Sequence, residues 1–582
     1  MALAVDIETD GLNATRITAL CWINIETGEE VDCYHNIESG LRTLMEYDGE
    51  LVFHNGIDFD VPTIKRLYDW WQPRHRIVDT LVRSRFVYQD MLGHDLRTHT
   101  TESLRKVDDR ARLGSHGLAT WGVRLGFAKQ EFEGDWDTEY TPALGAYCLQ
   151  DCRVTRRLYL HLKDKGIDER VDLLEHQFAE LCVQLRTYGF AFDVQGARDL
   201  EQELQDRSTI IEDQMLETFG GWYAPVGEVV VPKRSVRYKD KPHVAEGCPY
   251  QKVEFVLFNS NSRQHIEKVL VARGWSPSEH TPSGQAKVDE KTLRAIAPKF
   301  PEAELLADNF MVTKRLALVR SWLEHGADGR IRAQVIPNAA ITGRTSSRSP
   351  NLQAVPRVGA PYGEESRRLF TASPGRKLLA SDLDRAELTM LAHYLDDNGE
   401  YGKLLQSADI HQVNADRMGI TRAQMKGVQF GFIYGAGDRK LGEMTGLPGG
   451  EVRKRLFAAI PGLEDLIAKV QREAKSNGYI TSIDGRRIPV EKEHTALNYL
   501  IQSATSSAAK YWAVRCAEQM RGLECDMVLY VHDELQFDCA EHHLQPASVV
   551  IKECLRQSND YFNLSVPMTC DTQVGDNWAE SH

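Results

Sequence analysis

Asp6 and Glu8 stand two apart in the apolar run ALAVDIE, so in a strand both side chains leave the same face. Two carboxylates on one face of a buried strand repel each other and lose hydration unless a cation offsets them. Taken alone, the pair reads as two solvated acids where a strand has ended. Asp60 follows a second apolar run in LVFHNGIDFD, and Tyr147 and Asp151 are spaced i, i+4, on one face of a helix. Four acids and a tyrosine on elements of one α/β unit suit two hard divalent ions about 3.5–4 Å apart. Such a pair activates a water and stabilises the leaving oxygen of a phosphodiester.

A second set lies far downstream. In RKLLASDLDRAELTMLAHYL an apolar strand at 378–380 leads to Asp382, and an amphipathic helix starts near Arg385 with Leu388, Leu391, Ala392 and Leu395 on one side. MVLYVHDELQFDC reads as strand, turn, strand, with Met527, Leu529 and Val531 alternating before His532, Asp533 and Glu534. By itself HDE is an ordinary polar turn. Flanked by apolar strands, however, its two acids would sit beside a sheet that also holds Asp382. Between these segments, Thr421 followed by Gln424 is a capping box, which predicts a helix from Arg422. Arg422, Lys426, Phe430 and Tyr434 then recur every four residues and share a broad face. Two cations followed by two aromatics suit a triphosphate at one end and a base at the other. The plain alternative is a solvated basic turn followed by two core aromatics. YGAGD carries neither GxGxxG nor Walker spacing, which sets aside a dinucleotide or P-loop site.

Positioning these residues requires elements that the apolar patterning supplies. Residues 1–165 alternate β-rich runs with helices, including a helix over 143–162, and imply an α/β unit with a central sheet. Residues 166–220 are helical in pattern, broken at TYGFAFD (187–193). Residues 221–262 shift to Pro, Gly and Val with a basic cluster of Lys233, Arg234, Arg237, Lys239 and Lys241, and read as a loop-rich insertion. Helix returns over 263–330, and 331–582 is again mixed α/β. At 582 residues the chain is long enough for roughly three to five folding units. Its 42% hydrophobic and 26% charged content excludes a disordered or fibrous chain. Eleven cysteines without a CxxC pair exclude a disulfide scaffold and point to a reducing compartment. No apolar run reaches the ~20 residues that span a bilayer, and MALAVDIETD lacks the basic region of a signal peptide. The net charge of −14 argues against a nucleic-acid coat protein while leaving room for a locally basic groove.

DxE, HNGxxxD and YxxxD in this order resemble the three motifs of the DnaQ-like 3′–5′ exonuclease domain, on an RNase H-like sheet, over about the first 165 residues. The resemblance implies Asp6, Glu8, Asp60 and Asp151 as metal ligands and Tyr147 as the residue that orients the attacking water. Asp58 is a rival for Asp60, but the spacing from HNG favours Asp60; Asp79, in RIVDT, could join the site, with packing or capping as the expected role. DLDRAEL (382–388), RAQMKGVQFGFIYG (422–435) and VHDE (531–534) resemble motifs A, B and C of family A, DNA polymerase I-like, DNA polymerases. TGRTSSRSPNLQ (342–353), DIH (409–411) and HTALNYLIQSA (494–504) fall in the same order. With GSHGLATWG (114–122) and FNSNSRQHI (258–266), essentially the whole chain is similar to the replicative polymerases of podovirus-type bacteriophages.

That resemblance implies a multidomain α/β fold: an exonuclease over 1–165, thumb and connecting helices over 166–335, and palm and fingers over 336–582, with fingers at about 400–475. It implies Asp382 and Asp533 as ligands of two Mg²⁺ ions per active site, with Mn²⁺ able to substitute, and Glu534 near the primer end. Arg422, Lys426 and His411 would hold the triphosphate, Phe430 would stack beneath the nucleotide, and Tyr434 would guard the templating position. Glu387 would be the steric gate against a ribose 2′-OH. Arg344, Asn498 and Gln502 would touch the minor groove of primer–template DNA, where acceptors occur in every base pair. Thr389 stands where relatives have Arg, and Asp384 where a small residue is usual, an acid that would either tune the metals or face solvent. The implied partners are primer–template DNA and dNTPs, with a processivity or replisome factor as an option at 221–262, a segment short for that purpose. A monomer in the cytoplasm of an infected bacterial host, away from membranes, is expected. A single-subunit RNA polymerase and a catalytically inactive nucleic-acid-binding relative are the alternatives. Glu387 and the complete exonuclease set argue against the first, and the presence of every key acid against the second.

Overall fold

The computed structural model describes all residues except 99–112, 129–131, 133, 135–138, 238, 240–242, 282 and 396–398, so Lys241 of the basic cluster lies outside the described residues. The chain forms two compact units, one of Met1–Ala191, Ile331–Ala354 and Thr371–His582, the other of Phe192–Arg330 and Val355–Phe370.

The first unit opens with a five-stranded sheet of β1 (Ala2–Thr9), β2 (Ile17–Asn24), β3 (Glu30–Asp32), β4 (Glu50–Phe53) and β5 (Ile77–Asp79) in the order β3-β2-β1-β4-β5. β1 runs antiparallel to β2 and parallel to β4, and β4 is parallel to β5. Leu3, Val5 and Ile7 are buried, while Asp6 and Glu8, at alternate positions, reach the partly open face. Around the sheet lie α1 (Asp60–Leu67), α2 (Thr80–Val87), α3 (Pro142–Lys163) and α4 (Glu169–Tyr188). The helix predicted over 143–162 is α3, begun by Pro142 at a position needing no N–H donor and by the Thr141 hydroxyl, which accepts the Leu144 amide.

In the second unit the long helices α5 (Val194–Phe219) and α6 (Glu302–His325) are joined on their surface by Arg320 and Glu201, 2.8 Å apart. The insertion is not loop-rich throughout. β6 (Gly221–Val230) and β7 (Tyr250–Leu257) form an antiparallel hairpin, with Tyr223 opposite Phe255. Most of its side chains are exposed, so no buried face imposed an alternating apolar pattern from which strands could be read. Its β-branched and aromatic residues suit extended backbone all the same.

The first unit resumes with a four-stranded antiparallel sheet of β8 (Arg376–Leu383), β9 (Cys525–Val531), β10 (Glu534–Ala540) and β11 (Cys570–Gly575), ordered β9-β10-β8-β11. α7 (Ala386–Tyr394) follows β8 directly, and α8 (Ile410–Met418), α9 (Arg422–Ile433) and α10 (Ala496–Gln519) complete the elements relevant to the sites. α4 is shared by two cores. Val171 and Ala179 pack with the first sheet, whereas Leu174, Phe178, Leu181, Cys182 and Leu185 pack with the core of the second. Glu175, on the same helix, is fully buried and bonds Lys510 of α10 at 2.7 Å and Asn338 at 2.7 Å, with Arg486 as a further partner. A buried carboxylate persists only when paired and hydrogen-bonded in this way.

Candidate active sites

The loop between β4 and α1 brings Asp60 to the first sheet. Asn55 adopts φ 66°, a left-handed conformation that Asn tolerates better than most residues. A Cβ on Gly56 would lie 2.2 Å from the Phe53 Cβ, so the HN-Gly sequence is a packing requirement of this turn. Asp60 is buried and receives the Ile7 amide of β1; burial first, then the Asp79 and Asp151 carboxylates, raise its pKa. Asp151 is likewise buried on α3, and Tyr147 lies one turn before it, with its ring 5.9 Å from that of Phe132. Asp6, Glu8 and Cys148 bring one ligand-type atom each to within 4.8 Å of one another. The Cys148 thiol, however, is buried and donates to the Asp6 carbonyl at 3.4 Å, so sulfur serves the backbone of β1. Asp6 and Glu8 are thus near neighbours on β1, Asp60 is tied to the Ile7 amide between them and feels the Asp151 charge, and Tyr147 stands one turn before Asp151 on α3. Asp58 goes elsewhere: Arg186 bonds it at 2.9 Å and the Gln334 amide donates to it at 2.9 Å. Asp79 caps α2, as expected, by accepting the Leu81 amide.

In the second sheet Asp382, near the end of β8, is paired across β10 with Glu534. Asp533 occupies the β9–β10 turn beside His532, whose φ of 56° lets the chain reverse in two residues. The Leu383 amide donates to the Asp533 carbonyl at 3.1 Å, locking this turn against β8. Solvent reaches Asp382, yet it sits among enough protein to lose hydration. That loss, followed by the Asp533 and Glu534 charges, pushes its carboxyl up to about 7. Burial and then Glu387 push Asp533 up to about 6, with Arg344 acting in the opposite direction. Glu534 is buried and accepts from the Trp578 indole at 2.6 Å and the Gln536 amide at 2.8 Å. Trp578 belongs to no motif, and no spacing in the sequence connects it with Glu534. Asp384 accepts the Thr569 hydroxyl at 2.9 Å, and Thr389 is buried on α7.

The capping box forms as the sequence predicts, with Thr421 and Gln424 bonded reciprocally and α9 beginning at Arg422. Met425, Val428, Gln429, Phe432 and Ile433 are buried, leaving Arg422, Lys426 and Tyr434 exposed and Phe430 half-buried on the other side. The Phe430 ring lies 5.8 Å from His411 and 6.4 Å from Tyr434. Arg422 pairs with Asp409 at 2.6 Å, the residue that also caps α8. His411 Nδ1 and Gln429 Oε1 are 3.0 Å apart, while the Gln429 amide donates to the Tyr401 hydroxyl at 2.6 Å. Glu387 joins three elements: Arg344 donates to it at 2.8 Å and the Tyr434 hydroxyl at 3.0 Å. Gln502 donates to Asn498 at 2.6 Å on α10.

Both acid sets fit hard divalent cations. They offer carboxylate oxygens, the preferred ligands of such ions, and burial followed by repulsion from neighbouring carboxylates raises the pKa of Asp60, Asp382 and Asp533, a cost that a cation would relieve.

Residues 232–580 match the model of DNA polymerase family A, and residues 3–163 match that of the RNase H superfamily. The DNA-directed DNA polymerase of Escherichia phage T7 is 30% identical, with 92% of this chain and 92% of that protein covered. That of Enterobacteria phage T3 is 29% identical, with coverage of 94% and 96%. The POL domain of Pol1 from M. smegmatis, solved in complex with DNA primer-template and dNTP, shares the fold at TM-score 0.77 and 18% identity, covering 100% of this chain and 96% of that one. A family match across both acid-bearing strands and α9 accounts for the sheet that carries Asp382 and Asp533: the chain belongs to DNA polymerase family A, with an RNase H-like domain before its polymerase portion.

Proposed function

We propose that this DNA-directed DNA polymerase extends primers on phage DNA from Asp382 and Asp533 and excises mismatched 3′ ends at Asp6, Glu8, Asp60 and Asp151. The observation that carries the reading is the Asp382–Asp533 pair beside the Glu387–Arg344–Tyr434 network. Residues 1–165 are read as the exonuclease, 166–335 as thumb and connecting helices, and 336–582 as palm and fingers, with fingers at about 400–475. In extension the primer 3′-OH attacks the α-phosphate of a dNTP and pyrophosphate leaves. Two Mg²⁺ ions per site, or Mn²⁺ in their place, would lower the pKa of the attacking hydroxyl or water and neutralise the leaving oxygen. Asp382 and Asp533 would hold them in one site, and Asp6, Glu8, Asp60 and Asp151 in the other. Lys426, Arg422 and His411 would bind the triphosphate, with Phe430 under the nucleotide and Tyr434 at the templating position. Arg344, Asn498 and Gln502 would meet the minor groove, Glu534 would support the primer end, and Tyr147 would orient the attacking water. The supporting test is extension of matched and mismatched primers with dNTPs or rNTPs; failure to add dNTPs to a matched end would overturn the reading.

Glu387 supplies a direct check on substrate choice. Its carboxylate is pinned by Arg344 and Tyr434, so a 2′-hydroxyl would meet a fixed group. Glu387→Ala should relax rNTP exclusion by roughly 10–200-fold, the range expected for about 1–3 kcal/mol of pocket discrimination. Arg344 and Tyr434 would also lose their shared acceptor, so dNTP addition should slow. Equal rNTP exclusion in both proteins would move the gate to another residue.

Lys233, Arg234, Arg237 and Lys239 are exposed in the loop between β6 and β7. We read this loop as a binding surface for DNA phosphates, with a processivity or replisome factor as the second reading, favoured by the exposed Tyr223, Val253 and Phe255 of the hairpin. Replacing Lys233, Arg234 and Arg237 with Gln should make the salt slope of primer–template binding shallower by about 0.9 for each phosphate that is no longer neutralised. Unchanged slope and processivity would leave the loop as a solvated surface. Among the described residues no helix is long and apolar enough to cross a membrane. A monomer working in the cytoplasm of the infected bacterial host completes the reading.

A further inference from the structure

We infer that Asp79 is a positioning residue of the excision site: its carboxylate fixes the loop that delivers Asp60, and His176 of α4 fixes Asp79 in turn. The inference rests on the reading of Asp60 as a metal ligand. Asp60 hangs at the end of a six-residue loop, 54–59, whose path is set by Asn55 and Gly56. One Asp79 oxygen accepts the Asn55 amide at 2.9 Å and the Leu81 amide at 2.8 Å, while the other accepts the Ile57 amide at 3.1 Å. Asp79 is 1% exposed, and both its oxygens are engaged by backbone. Its carboxylate is therefore occupied in shaping the loop and is not presented as a further ligand.

The loop continues from these anchors. The Asp58 and Phe59 amides donate to the Asn55 carbonyl at 3.2 and 3.1 Å, and the Val61 amide to the Gly56 carbonyl at 2.8 Å. These three backbone bonds start from residues that Asp79 holds directly or through a neighbour, while Arg186 holds the Asp58 carbonyl separately at 3.0 Å. Among the described residues β5 lies at the edge of its sheet, and the Asp79 amide turns from its one neighbour, β4, to a side-chain acceptor. His176 Nε2 accepts it at 2.8 Å, which requires an unprotonated Nε2 and leaves the ring proton on Nδ1, directed to the Asp172 carbonyl 2.6 Å away. Burial pushes the imidazole pKa down to about 4, which keeps that state at neutral pH. α4 also packs into the core of the second sheet, so the loop carrying Asp60 is anchored from outside the exonuclease sheet.

The test uses the full chain and the variants Asp79→Asn, His176→Leu and Asp60→Asn. The amide introduced by Asp79→Asn would keep one carbonyl oxygen but turn an NH₂ group toward the Ile57 amide. Mn²⁺ binding without nucleotide, followed by electron paramagnetic resonance and taken as the difference from a chain with Asp6 and Glu8 replaced by Ala so that the Asp382–Asp533 site cancels, gives a readout of the excision site independent of turnover. Asp79→Asn should raise the Mn²⁺ concentration for half-occupancy and lower excision, each by ~10–100-fold, the range for losing an outer-shell partner of a metal ligand. Raised Mn²⁺ should restore part of the excision, and primer extension should stay intact. His176→Leu should act in the same direction. If Asp60→Asn leaves both Mn²⁺ binding and excision unchanged, the parent reading of Asp60 fails. If Asp60→Asn loses both while Asp79→Asn matches the unaltered chain, the positioning role is overturned. Should Asp79→Asn lose extension too, His176→Leu decides: unchanged excision and Mn²⁺ affinity in a variant that extends primers rejects the inference.

Discussion

Replacing Asp6 and Glu8 together with Ala should abolish excision while leaving primer extension intact. Two-metal chemistry draws several kcal/mol of transition-state stabilisation from the bound ions, and each 1.36 kcal/mol is tenfold. Loss of the ligands should therefore slow excision by on the order of 10³-fold or more. Extension should be spared because its acids belong to another sheet: Asp6 and Glu8 lie on β1, whereas Asp382 lies on β8 and Asp533 in the β9–β10 turn. Asp382→Asn or Asp533→Asn should do the reverse, stopping extension and leaving excision. The measurement is a pair of assays on one preparation, excision of a mismatched 3′ end without dNTPs and extension of a matched one with them. A folded Asp6/Glu8 variant that no longer extends primers would refute the assignment of independent sites.

The second large effect concerns Phe430. A dideoxynucleotide lacks the 3′-OH that, in a normal dNTP, can hydrogen-bond within the bound triphosphate. Losing a bond to a charged group costs ~1.5–3 kcal/mol, or roughly ten- to hundredfold in rate or affinity. Phenylalanine has no atom to replace that bond, whereas a tyrosine hydroxyl could stand near the vacated position. The protein should accordingly discriminate against ddNTPs, and Phe430→Tyr should remove most of the discrimination. Phe430 is half-buried on the exposed side of α9, with aromatic neighbours 5.8 and 6.4 Å away, so one added oxygen at the ring edge should be accommodated. The ratio of dNTP to ddNTP incorporation, measured for both side chains in an excision-inactive background, is the check. A ratio near one with Phe430, or no fall with tyrosine, would take this residue out of the nucleotide site.

Local chemistry explains which features could be read before folding was considered. Thr421 and Gln424 cap α9 with bonds confined to four consecutive residues, so the start of that helix was legible from spacing alone. The four-residue recurrence from Arg422 to Tyr434 likewise survives, because helical geometry keeps such positions on one side whatever packs opposite. β1, α3 and the β9–β10 turn follow from apolar runs and their breaks for the same reason. The β6–β7 hairpin escaped because its strands bury almost nothing, and without a buried face there is no alternation to detect.

The choice between Asp58 and Asp60 illustrates the remaining division. Both acids follow HNG within one loop, and spacing favours Asp60, but it is Arg186 and Gln334, far along the chain, that engage the Asp58 carboxylate. His176 behind Asp79 and Trp578 behind Glu534 carry no signal in the sequence, since their partners lie 97 and 44 residues away. What the sequence determined by itself were the identities and local geometry of the carboxylates, capping residues and the cationic-aromatic face, because those depend on neighbours within a turn or strand. Tertiary structure alone decided which acids converge, which were diverted into ion pairs and which buried groups hold them. Burial and long-range charge set those outcomes, and neither exists until distant segments pack together.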